Sequence, residues 1–156
     1  MHAHSDTLLA NYLNSLSHLH IKEAEDKEPI CAGTAYIAPA NYHLLIEEDR
    51  TLSLNTDERV NYSRPSVDVL FNSAADVYGS KLIGIVLTGA NDDGVTGMKR
   101  IKKYGGLTIV QDPKNAEVDL MPRSVLKEVP VDYVLTLEKI GILLGDIGNN
   151  NLQLKN

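Results

Sequence analysis

Leu8, Leu9, Tyr12, Leu13 and Leu16 recur at the spacing of one helix face. Ser5 or Asp6 stands where that helix would take its cap. Ile21 to Glu25 reads as a short strand, and Thr34-Ala35-Tyr36-Ile37-Ala38 as an apolar strand stopped by Pro39. His43 to Ile46 and Thr51 to Leu54 flank the charged turn Glu47-Glu48-Asp49-Arg50, which predicts an antiparallel hairpin. The texture changes at Pro65. Val67, Leu70, Phe71, Ala74, Ala75 and Tyr78 make an amphipathic helix with Pro65 near its first turn and Gly79 at its end. Leu82 to Leu87 is a continuous apolar run of strand length, as a strand buried on both faces requires. A helix carrying Met98, Ile101 and Tyr104 follows and is closed by Gly105-Gly106. Leu107 to Val110 is the next buried strand. Met121 to Ser124 opens a short helix, Tyr133 to Leu135 is a last strand, and Ile140 to Leu144 a last helix.

Strand and helix alternating in this way predict an α/β fold: a doubly wound, mainly parallel sheet with an antiparallel hairpin insertion. The chain has 156 residues, a length that suits one domain. That domain is expected over residues 1–148, followed by a polar tail over 149–156. The net charge is −6, from 15 Lys and Arg against 21 Asp and Glu. The sign argues against a binder of nucleic-acid phosphates. No apolar run reaches the roughly 20 residues of a membrane-spanning helix. The single cysteine, Cys31, has no partner for an internal disulfide, and a cytoplasmic protein is the simple expectation.

The segment from Leu87 to Gly97 carries the most chemistry. It sits where an inner strand ends and a helix begins, the place where α/β sheets collect ligands and catalytic groups. Asp92 and Asp93 lie side by side at the helix start, where one of them can serve simply as the cap. His2-x-His4-x-Asp6 offers imidazoles for acid–base work or for a metal, or is a tag remnant. His18 and His20 suit a helix end. His43 suits a cleft or a strand position equally. Arg64-Pro65-Ser66-Val67-Asp68 is explained by helix-start duty alone. Ser66, Ser73, Ser80 and Ser124 all lack the glycine flanks of a nucleophile elbow. No Gly-Lys-Ser/Thr loop or Gly-x-Gly-x-x-Gly pattern supports a nucleotide binder.

These segments, taken in order, show a resemblance. The chain resembles the catalytic domain of the chemotaxis-receptor methylesterase family, the CheB type. The matching stretches are Lys22 to Asp26, Gly33 to Pro39, Tyr42-His43-Leu44, Arg64 to Phe71, Leu87-Thr88-Gly89 through Asp93-Gly94, Gly105-Gly106, Gln111-Asp112-Pro113 and Met121-Pro122. The resemblance implies a serine hydrolase that removes methyl groups from glutamyl methyl esters on chemoreceptor helices and releases methanol. Some family members also deamidate receptor glutamines. No cofactor and no metal is implied. The implied partners are methylated chemoreceptor cytoplasmic domains, with no nucleic acid and no membrane insertion.

The family's triad is a serine in a Gly-rich loop, a histidine after the next strand, and an aspartate that falls on Asp93. Its implied role is to orient and stabilise the imidazole. The family usually has Met-Gly where this chain has Ala90-Asn91. The histidine aligns about one residue ahead of Met1: either a small shift recruits His2, the nearest imidazole, as the catalytic histidine, or the histidine and serine belong to an N-terminal segment missing from these residues. No Gly-rich serine loop occurs in these residues. The expectation is an N-terminally incomplete catalytic domain without turnover, or alternatively a non-catalytic receptor-interaction module of the same fold. No receiver domain is present in these residues to bring phosphorylation control. An exposed sheet edge is expected to pair two copies.

Overall fold

The computed structural model describes residues 5–149. Helix α1 (Ser5–Leu16) leads to strand β1 (His20–Glu23), which pairs in parallel with β2 (Thr34–Ile37). Strands β3 (His43–Ile46) and β4 (Leu52–Asn55) form the antiparallel hairpin, with His43 opposite Asn55 and Ile46 opposite Leu52. Arg50 in its turn has φ +65, and its amide donates to the Glu47 carbonyl. Ala24, Leu44 and Leu52 are buried in this half, with Tyr36, Ile46 and Leu70 packed against them.

Helix α2 (Val67–Tyr78) then leads to β5 (Ile83–Val86), α3 (Val95–Lys103), β6 (Leu107–Gln111), α4 (Leu120–Glu128), β7 (Tyr133–Leu135) and α5 (Leu137–Gly148). The three strands form a parallel sheet in the order β5-β6-β7. The apolar runs read from sequence are its edge strand β5 and its central strand β6: Val86, Ile109 and Val110 are buried, and so is Thr108. Met98 and Ile101 of α3, Ala75 of α2 and Val125 of α4 close over Val86 and Val110. The architecture is therefore the α/β one expected, with parallel pairs and one antiparallel hairpin.

Helix ends explain where local reading slipped. Ser66, not Pro65, begins α2: its backbone is extended (φ −113, ψ 135) and its hydroxyl accepts from the Val69 amide. Pro65 thus precedes the cap instead of occupying the first turn. His18 lies beyond α1 and His20 starts β1, so neither sits in a last helical turn. The Gly105-Gly106 stop holds in detail. Gly105 has φ +80, its amide donates to Lys102, and the Gly106 amide donates to Ile101. This is the paired closure that a left-handed residue after a helix permits.

Asp132 fastens α3 to the sheet. Its Oδ2 accepts from the Thr108 amide at 2.9 Å and the Thr108 hydroxyl at 2.8 Å, and its Oδ1 pairs with Lys102. Burial pushes its carboxyl up. The Lys102 ammonium and the two Thr108 donors outweigh that and hold it below the ordinary 3.8. A carboxyl depressed on folding contributes stability that is full above its unfolded value and lost as pH falls through its folded one. Asp132→Asn is therefore expected to cost about 1 kcal/mol at neutral pH, a charged hydrogen bond discounted for exposure. Urea titrations of parent and variant should converge as pH drops below about 4. A gap that persists unchanged at pH 2 would contradict this account.

Candidate active site

The loop after β5 is held from several sides. Thr88 donates its amide to Gln111 Oε1 at 2.8 Å. Its hydroxyl donates to the Val118 carbonyl at 3.0 Å and accepts from the Val118 amide at 2.8 Å. Gly89 and Met121 complete the seam, the Gly89 carbonyl accepting from the Met121 amide. Asn91 then turns the chain: its Oδ1 accepts from the Asp93 amide at 3.1 Å, and its Nδ2 donates to Ser63 Oγ at 2.7 Å. The departure from Met-Gly at Ala90-Asn91 thus supplies a side chain that ties the loop to the segment before α2.

Asp93 is only 2% exposed. Its Oδ1 accepts from Ser66 Oγ at 2.8 Å and from the Asp68 amide at 3.0 Å, and its Oδ2 accepts from the Val67 amide at 2.6 Å. It is therefore not the cap of the helix it precedes. That position belongs to Gly94, whose φ of +99 turns the chain into α3 without a side-chain cap. Asp93, one residue earlier, reaches across to the N-terminus of α2, where unpaired amides and the helix dipole favour a negative charge. The exchange is mutual. Asp68 in the first turn of α2 accepts from the Gly97 amide of α3 at 2.7 Å, and Asn61 Nδ2 donates to its other oxygen at 3.0 Å.

Asp92 turns the other way and accepts from Ser124 Oγ of α4 at 2.5 Å. The two neighbouring carboxylates are thus spent on different elements. An open cleft of about 320 Å³ lies on the Asp92 side, lined by Asn61, Asp68, Asp92, Thr96, Ser124 and Lys127 among others.

His43 resolves as a structural residue. It is 1% exposed, its Nε2 lies 2.9 Å from the Glu58 carbonyl, and its Nδ1 faces the Ser66 amide at 3.2 Å. An amide can only donate, so Nδ1 is the acceptor and Nε2 carries the proton. Both ring nitrogens are engaged, which leaves no lone pair for acid–base work. His2 and His4 lie outside the described residues. Cys31 is exposed, its thiol 3.6 Å from the Pro29 carbonyl. Arg64 Nη1 donates to the Thr56 and Asp57 carbonyls at 2.8 and 3.0 Å, a structural use. Among the described residues, no three His, Cys, Asp or Glu side chains gather as a metal would need.

The structure joins two segments that are far apart in the chain, residues 61–68 and 87–94. Sequence reading singles out Asp93 but sets Ser66 and Asn91 aside. The available signals are a serine immediately before a helix and an asparagine two residues before an acid, both ordinary turn chemistry.

The fold agrees with three comparisons. The family model for the CheB methylesterase matches residues 1–144. A putative protein-glutamate methylesterase/protein-glutamine glutaminase of Leptospira interrogans is 56% identical over 151 residues, covering 97% of this chain and 78% of that protein. A protein-glutamate methylesterase/protein-glutamine glutaminase of Hydrogenovibrio crunogenus is 43% identical over 136 residues, covering 84% of this chain but 36% of its own length. The crystal structure of the Thermotoga maritima CheB methylesterase catalytic domain superposes with a TM-score of 0.86 at 38% identity, over 94% of this chain and 79% of that one. The chain belongs to the CheB methylesterase family, a family of carboxylic ester hydrolases.

Proposed function

We propose that the protein demethylates glutamyl methyl esters on the cytoplasmic domains of chemoreceptors, by serine-hydrolase chemistry in which Asp93 is the acid of the triad. The observation that carries this reading is the state of Asp93: a buried carboxylate in the loop between β5 and α3, immobilised by three donors. A carboxylate offers about four acceptor positions, so one remains on Oδ2 for an imidazole N–H. An acid so held keeps its geometry and charge while the imidazole it orients gains and loses a proton. Acyl transfer also needs an activated nucleophile. These 156 residues contain no Gly-rich serine loop, and in this reading the nucleophile comes from outside them. His2 is the imidazole of this sequence nearest the family position.

A second reading follows from the same gap: a non-catalytic receptor-interaction module of this fold. Mass spectrometry of methylated receptor separates the two. Protein expressed from the whole reading frame is expected to remove methyl groups with release of methanol, and the 156-residue chain alone to remove none. Turnover by the chain alone contradicts the role given to an outside serine. Receptor that is bound by the whole product but keeps its methyl groups supports the interaction module. Pairing of two copies through the open edge of β5 or β7 belongs to the same proposal, and light scattering on these samples reads it. Cytoplasmic location follows from such a substrate.

A further inference from the structure

An aspartate side chain does not fix its own carboxylate. Its terminal torsion joins an sp³ to an sp² carbon and is broad, so neighbouring donors must set the plane. At Asp93 two of the three donors are backbone amides of α2, and the third is the Ser66 hydroxyl. Ser66 is 2% exposed and is itself held on three sides. Its amide donates to His43 Nδ1 at 3.2 Å, its Oγ accepts from the Val69 amide at 3.4 Å, and its only hydroxyl proton goes to Asp93 Oδ1 at 2.8 Å. His43 is anchored in turn through Nε2 to the Glu58 carbonyl at 2.9 Å. The bonds therefore run in one direction, amide to hydroxyl to carboxylate, the sense in which each strengthens the next. Ser66 does not itself attack substrate: it is buried, and its proton goes to a carboxylate with no imidazole between.

We propose that Ser66, aimed by His43, is the positioning residue of Asp93: its hydroxyl fixes the carboxylate plane and so the direction of the one acceptor position left free. The inference rests on the reading of Asp93 as the triad acid. Without the hydroxyl, Oδ1 keeps a single donor and the carboxylate can rotate away from the line an imidazole N–H needs. Misplacement of this kind costs rate more than binding, up to about 100-fold for an ångström.

The test uses two replacements at one position in protein from the whole reading frame, with methyl-ester hydrolysis on receptor as the readout. Ser66→Gly removes the hydroxyl while keeping most of the N-cap preference, since glycine costs only a few tenths there. It is expected to lower kcat about 10-fold to 100-fold and to leave KM within about twofold. Ser66→Thr keeps the hydroxyl and is expected to recover kcat to within about threefold of parent. Parental kcat in Ser66→Gly overturns the proposal, and so does Ser66→Thr performing no better than Ser66→Gly. Asp93→Asn is measured beside them. If it turns over like the parent, the triad reading fails and takes this inference with it. If it is inactive while Ser66→Gly is not, only this inference fails. Should the parent itself not turn over, a crystal structure of Ser66→Gly in the 156-residue chain decides. A carboxylate rotated or split between conformers supports positioning, and one unmoved from its present bonds overturns it.

Discussion

Asp93→Asn in protein from the whole reading frame is expected to lower kcat for methyl-ester hydrolysis by about 10⁴, the scale on which a triad acid acts through its imidazole. The substitution also touches stability. Three donors converge on the carboxylate: the Ser66 hydroxyl and the amides of Val67 and Asp68. An asparagine presents one oxygen and one NH₂ there, so at least one donor is left facing another donor. That costs about 1–3 kcal/mol, with up to about 1 kcal/mol more for the lost charge at the α2 terminus. A domain stable by about 5–15 kcal/mol stays folded through such a loss. A 10⁴-fold drop therefore exceeds what unfolding explains. Kinetics normalised to folded protein by circular dichroism check it, and a drop smaller than about tenfold would remove Asp93 from the mechanism.

The second large effect lies where the two helices touch. A Cβ on Gly97 would stand 2.4 Å from Phe71 Cβ and 3.2 Å from Asp68 Oδ1. Neither side chain can swing clear, because the Phe71 atom is fixed to its backbone and the Asp68 oxygen is bonded to the Gly97 amide. Gly97→Ala must push α2 and α3 apart, stretching both reciprocal caps at once. The gain in helix propensity, about 1 kcal/mol, opposes a packing cost at the upper end of the usual 1–3 kcal/mol range. The Asp68–Gly97 bond adds to the loss. A net destabilisation of about 3 kcal/mol is expected in urea titration. Gly141 in α5 is the control. A methyl group added there would meet no atom within 4 Å among the described residues, and Gly141→Ala is expected to be neutral or to stabilise by up to about 1 kcal/mol. Equal effects at the two positions would contradict the close-packing account.

The sheet is readable in the sequence because parallel strands buried on both faces need unbroken apolar runs, and Leu82 to Leu87 and Leu107 to Val110 are such runs. The hairpin is readable from its charged turn. Asp93 stands out by its place after an apolar strand, but its partners do not. The cap it makes is on α2, more than twenty residues earlier in the chain, and nothing local marks a carboxylate that skips its own helix. Gly94 is the physical reason. Its left-handed backbone takes the cap position of α3 and frees Asp93 to turn away. His43 is ambiguous for a similar cause: period-two alternation places it on a strand, while its fate depends on the Glu58 carbonyl and the Ser66 amide, both outside that strand. Reading Arg64 to Asp68 as plain helix-start residues holds locally for Ser66 and Asp68 and is incomplete for the site.

The most direct measurement is a crystal structure of the protein from its whole reading frame, read for the distance between Asp93 Oδ2 and the nearest imidazole nitrogen. The account predicts a hydrogen bond of about 2.6–3.2 Å at the acceptor position that the Val67 amide leaves open. An Asp93 carboxylate enclosed by α2 alone, with every imidazole beyond reach of a hydrogen bond or a single bridging water, would contradict it.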